Sequence, residues 1–122
     1  MKLKILPYEL TVCRVESMPA VDLSADFFFL ARTDEELSLV CRTDRAPADT
    51  VAREDGWRGL RIEGVLDFSL VGILSGISCI LAENDISIFA VSTFNTDYIL
   101  VRKEQLERAM KALEAAGYVV ET

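Results

Sequence analysis

The chain has 122 residues, 51% of them hydrophobic, with a formal net charge of −7 and no histidine. That length and apolar content support a packed interior and exclude extensive disorder, while the acidic balance excludes nucleic acid and anionic membrane as natural partners. Without imidazole there is no Ser-His-Asp or Cys-His catalysis, no histidine metal ligation, and no general base of the commonest kind.

The first residues, Met1-Lys2-Leu3-Lys4-Ile5-Leu6-Pro7, hold no long apolar stretch with a small-residue cleavage site, so no signal peptide is expected. No apolar run reaches the roughly 20 residues that cross a bilayer. Cys13, Cys41 and Cys79 are odd in number and form no CxxC pair, which argues against a disulfide framework or a zinc site. Each lies in an apolar run, the setting of a small core residue in a reducing cytoplasm.

In chain order, Leu10 to Val15 alternates as a strand does. Met18 to Asp26 occupies the slot of a helix but contains Pro19 and is a poor helix former. Phe27 to Arg32 and Leu37 to Cys41 read as two strands, and Thr33-Asp34-Glu35-Glu36 links them as a hairpin. The carboxylates Asp34, Glu35 and Glu36 read as a solvated tip rather than a metal cluster. Arg42, Arg45, Arg53, Arg58 and Arg61 are scattered among acids and read as surface. Pro47 to Glu54 is expected to form a short helix, because proline suits a first helical turn.

The second half is clearer. Trp57 to Glu63 suits a strand, and Val65-Leu66-Asp67-Phe68 continues extended after Gly64. From Val71 the apolar positions Val71, Leu74, Ile77 and Leu81, widened by Ile73 and Ile80, mark a helix burying one face. Ser69 or Asp67 is expected to cap its start, and Asn84-Asp85 to end it. Ile86 to Ser92 is β-branched and aromatic, and reads as a central strand. Thr93-Phe94-Asn95-Thr96 makes a turn into a partner strand, Asp97 to Val101. A second helix begins near Lys103, carries Leu106, Met110, Leu113 and Ala116 on one stripe, and stops at Gly117 before a last strand, Tyr118 to Val120. The order strand, helix, strand, strand, helix, strand predicts a ferredoxin-like α+β unit, two helices over a four-stranded antiparallel sheet. The first half looks like a degenerate copy of the same unit.

Two elements converge at one end of the second unit: the junction Asp67 to Gly72, and the run Ser92-Thr93-Phe94-Asn95-Thr96-Asp97. A helix start offers free N–H groups to a carboxylate, Gly72 admits close backbone approach, and Asp97 can pair with an ammonium or guanidinium group. These are the parts that hold a zwitterionic amino acid. Taken singly they also read as a helix cap, ordinary turn residues and a solvated charge.

The run from Glu63 to Leu74, followed by Ile86 to Val101 with its STFNTDYILV segment, resembles the ACT domain. It is similar to a tandem-ACT subfamily of small bacterial proteins related to the animal cytosolic arginine sensor. Phe27 to Cys41 and Gly56-Trp57-Arg58 fit that subfamily too. The resemblance implies a degenerate ACT-like unit over 1–56 and a complete ACT domain over 57–122. It also implies a cytoplasmic regulatory or sensor module that binds amino acids, with no catalytic residues, metal or cofactor. Ligand contacts are implied at Asp67, Leu70, Thr93, Phe94 and Asp97, and at Ser87 and Ile88 of a neighbouring unit, so a homodimer would complete the site; Phe68, Ser69 and Gly72 of the helix start are expected to line it beside them. Asp67 stands where the sensor's binding half has glycine, and Leu70 where it has an acid. An adaptor that dimerises through ACT units without holding a metabolite is the alternative reading.

Overall fold

The computed structural model describes residues 1–18, 21–64 and 71–122, so Val65 to Leu70, with the expected extended stretch after Gly64, lie outside the described residues. The chain divides into two compact units, one of Met1–Pro7 with Arg58–Thr122 and one of Tyr8–Trp57. Its elements are strands β1 (Lys2–Arg14), β2 (Phe28–Arg32), β3 (Leu37–Arg42) and β4 (Ala52–Ile62), helix α1 (Ile73–Glu83), strands β5 (Phe89–Ser92) and β6 (Asp97–Arg102), helix α2 (Leu106–Ala115) and strand β7 (Val119–Glu121). Both β1 and β4 cross the boundary and serve each unit with one half. This is mixed α/β structure, a largely antiparallel sheet with two helices among the described residues.

In the unit of Met1–Pro7 and Arg58–Thr122, Leu3, Ile5, Leu60, Ile62, Ile99 and Val101 alternate along their strands and point to one face. Ile77 and Leu81 of α1 and Ala109 and Leu113 of α2 close on that face, all fully buried. Both helices therefore lie on one side of the sheet. The expected four strands have a fifth among them. The first residues of β1 form a ladder with β7, Lys2 to Val119, Leu3 to Val120 and Lys4 to Glu121, and this pairing is parallel. On its other side β1 neighbours β4, then come β6 and β5. Strand β5 is shorter than the sequence suggested and ends the strand order rather than sitting centrally. Among the described residues its ladder is with β6, Phe89 to Leu100 through Ser92 to Asp97.

Helix α1 starts after Gly72, whose φ of 80° is open to glycine at little cost. The residue at the cap position, Gly72, has no side chain to offer, and the expected cap residues Asp67 and Ser69 lie outside the described residues. The other end is as expected: Asn84 caps, and Asp85 takes φ 57°. Gly117 at φ 100° ends α2, and Ala116 N–H bonds back to Ala112 O.

In the unit of Tyr8–Trp57, Cys13, Val15, Leu37, Leu39 and Cys41 form the core with Val21. Strand β3 lies between β1 and β2, antiparallel to both. The helix expected over Pro47 to Glu54 is absent. Residues Ala52 onward belong to β4, and a 3₁₀ turn sits earlier, at Thr43–Arg45. Proline permits a helix start, but β1 offers open hydrogen bonds at this point, and Val51 N–H already bonds Arg14 O at 2.8 Å. Of the thiols, Cys13 and Cys41 are buried, whereas Cys79 is exposed on α1, against expectation. It sits one position before the Ile80 and Leu81 stripe and so faces water.

The two hairpins share one plan. Strand β6 and the 3₁₀ turn Lys103–Gln105 repeat β3 and the turn Thr43–Arg45 at an offset of 60 residues. The residue before each 3₁₀ turn is an arginine in the same extended conformation, Arg42 at φ −60°, ψ 139° and Arg102 at φ −61°, ψ 139°.

Candidate functional site

Strand β4 leaves the sheet at Ile62, ahead of the segment that leads to Gly72 and α1. The β5–β6 turn is tied to this point. Thr96, only 7% exposed, donates its hydroxyl to Ile62 O at 2.7 Å. Thr93 closes the turn twice, its N–H donating to Thr96 O at 2.8 Å and its hydroxyl to the same oxygen at 2.9 Å. A buried polar side chain demands a partner, and this one fixes the turn against the end of β4. Of the two elements expected to converge, the Thr93–Asp97 run is thus fixed at the end of β4, while Asp67 to Leu70 of the other lie outside the described residues.

The remaining expected residues divide into three groups. Phe94 is 78% exposed at the turn tip, Gly72 is exposed at the start of α1, and Asp97 is half-buried opposite Ser92. Ser87, exposed, and Ile88, half-buried, precede β5, at the far end of that strand from the turn. At about 3.3 Å per residue, Ile88 lies on the order of 16 Å from Thr93 along the chain. One copy of the unit does not bring them together. Asp67, Phe68, Ser69 and Leu70 lie outside the described residues.

Sequence reading took Arg61 as a plain surface residue. In the structure it is only 32% exposed, pairs with Glu63 at 3.4 Å and hydrogen-bonds Tyr98. The signal was available in the alternation of β4: with Leu60 and Ile62 directed to the helices, Arg61 must face the other way. Arg58 is likewise half-buried and donates to Leu6 O at 2.9 Å. Among the described residues, no group of three or more His, Cys, Asp and Glu is placed to hold a metal ion. No described helix is long and apolar enough to cross a membrane.

A family model described as the ACT domain matches residues 52–115, from the first residue of β4 to the last of α2. The chain belongs to the ACT domain family. ACT domains generally serve as regulatory small-molecule-binding modules, and the matched span contains both the Thr93–Thr96 turn and the α1 start. A second family model, of an N-terminal domain, matches residues 9–49. A crystal structure of a protein from Agobacterium tumefaciens is 38% identical, with a TM-score of 0.85, over 98% of this chain and 90% of that one. A protein of unknown function from Vibrio cholerae is 22% identical at a TM-score of 0.73, over 93% of this ACT protein and 88% of its own chain. The ligand-free regulatory subunit of aspartate kinase from Thermus thermophilus shares the fold, with a TM-score of 0.65 at 10% identity over 94% and 96% of the two chains. No curated protein matches.

Proposed function

We propose that this ACT protein is an amino-acid-binding regulatory module without catalytic activity, acting in the cytoplasm as a homodimer of tandem ACT units, the N-terminal one degenerate. The observation that carries the reading is the Thr96 to Ile62 bond. It holds the Thr93–Asp97 lip against the strand end that leads to the α1 start, the two places from which a zwitterion would be gripped. In the proposed site, Asp67, Phe68, Ser69, Leu70 and Gly72 form one wall and Thr93, Phe94 and Asp97 the other, while Ser87 and Ile88 come from the second copy. The far position of those two residues within one copy fits a shared site. Three free thiols agree with a reducing compartment.

Thermal melts with each of the twenty amino acids test it, because a ligand that binds only the native state raises Tm. One or a few should do so, and Asp97→Ala should abolish the shift. No shift at millimolar concentration with any amino acid sinks the reading.

The adaptor reading draws on two exposed apolar side chains, Val71 at 88% and Phe94 at 78%. It expects light scattering to show self-association with no amino acid shifting the melt, and Asp67→Ala and Asp97→Ala to leave that association intact.

A further inference from the structure

Two of the three cysteines and one of the three methionines are gathered in the small core of the Tyr8–Trp57 unit. Cys13 and Cys41, 4% and 2% exposed, belong to the neighbouring strands β1 and β3. Cys41 stands directly opposite Thr11 and Cys13 opposite Leu39, so the thiols form a diagonal pair on one face. Met18 packs against the same cluster and is half-buried, which leaves the cluster an approach from solvent. The Thr11 hydroxyl beside Cys41 is already taken by Asp55 and Thr43, at 2.6 and 2.9 Å. Sulfur is what this core has left to offer.

Distance decides what two such thiols can do. A disulfide needs Cβ atoms roughly 3.5–4.5 Å apart, whereas a diagonal cross-strand pair stands about 7 Å apart. Two metal–sulfur bonds of about 2.3 Å in line part the sulfurs by about 4.6 Å, which spans such a diagonal. Zinc requires four ligands, and among the described residues no group of three His, Cys, Asp or Glu is placed to hold a metal. Thiolates with a thioether instead select monovalent copper, a soft ion satisfied by a few sulfur ligands. Burial holds both thiols in the neutral form, while the Arg53 guanidinium favours the thiolates. Metal binding tips that balance by displacing the protons.

We propose that Cys13, Cys41 and Met18 form a binding site for Cu(I), bridged between the two strands by the thiolates with the Met18 thioether as third ligand. Binding exchanges the two thiol protons for one Cu(I), with no change of oxidation state, and the protons pass to solvent. The loaded site carries one negative charge, which the Arg53 guanidinium offsets. The site belongs to the other unit from Thr93–Asp97, and its failure would leave the amino-acid reading untouched.

The test is an anaerobic titration of the full chain at pH 7 with Cu(I), in competition with the coloured Cu(I) chelator bathocuproine disulfonate. The wild type should withdraw about one equivalent of metal and release about two protons as it does so. Cys79→Ser, which removes the exposed thiol of α1, should behave as the wild type. Met18→Leu keeps the apolar volume but removes the thioether, and should bind about tenfold more weakly. Cys13→Ala/Cys41→Ala should lose the uptake. The proposal is overturned if the wild type leaves the metal with the chelator, if Cys79→Ser abolishes uptake, or if Met18→Leu binds as tightly as the wild type. It is also overturned if Cys13→Ala/Cys41→Ala, with its thermal melt still cooperative, withdraws the metal as before.

Discussion

The β2–β3 and β5–β6 hairpins are built alike and anchored differently. Both turns open on a threonine whose N–H closes on the oxygen three residues later, Thr33 to Glu36 at 2.9 Å and Thr93 to Thr96 at 2.8 Å. In the second, Thr96 is buried and bonds the end of β4. In the first, the equivalent residue is the exposed Glu36, and the polar anchor sits at the opposite end of the strand. There Thr11, fully buried, donates to Asp55 at 2.6 Å and so accepts from the Thr43 hydroxyl at 2.9 Å, while Arg53 holds Asp55 at 2.9 Å. The same local backbone device therefore says little about which end of a hairpin is fixed. That is decided by where a short hydroxyl side chain finds a buried partner.

Four measurements sharpen or break this contrast. The largest effect is expected in the cores under the hairpins, at the counterparts Ile99 and Leu39. Ile99→Ala should cost about 3–4 kcal/mol and Leu39→Ala about 2–3 kcal/mol by chemical denaturation, because the helix-covered cluster is larger and less able to collapse into the cavity. The reverse order would mean that the Tyr8–Trp57 unit is the better packed. Next, Thr96→Val should cost about 1–2 kcal/mol, as it removes a buried donor from Ile62 O, whereas Glu36→Ala should stay within about 0.5 kcal/mol. Equal effects would remove the difference in anchoring.

Thr11→Val comes third, at about 1 kcal/mol near neutral pH. The hydrogen bond from Thr11, then the bond from Arg53, holds the Asp55 carboxyl below its ordinary 3.8. A carboxyl more acidic when folded than unfolded stabilises the fold above that ordinary value and loses this contribution as pH falls through the lower folded value. The gap between wild type and Thr11→Val should therefore narrow on acidification below about pH 3.8; a constant gap would show that Asp55 takes no part. Smallest in energy is the thiol pattern. Burial pushes Cys41 up to about 11 and raises Cys13 as well. A thiol reagent at pH 8 should label exposed Cys79 quickly in the native protein, and Cys13 and Cys41 only on unfolding.

Much of the second half was legible because its signals are local. The stripe of Ile77 and Leu81, the Asn84-Asp85 stop, the Thr93–Thr96 turn and Gly117 each act within a few residues, and each was found in place. The edge position of β5 was not legible, since a run such as Phe89-Ala90-Val91 is apolar enough for a central strand. Nor was the strand at Ala52, where Pro47 suggests a helix start. Of the candidate site, the Thr93–Thr96 turn was legible from its residues, but not the bond that joins it to β4.

The sequence by itself determined the two helices, the paired hairpins, the ACT resemblance and the absence of imidazole chemistry, because periodicity, turn residues and composition are properties of neighbours along the chain. Only the tertiary structure decided that the first residues of β1 run parallel to β7 and that Thr96 meets Ile62. It also decided that Thr11 meets the Asp55 carboxylate. Those outcomes depend on which distant strand offers an open hydrogen-bonding edge or a carboxylate within reach, and no local pattern carries that information.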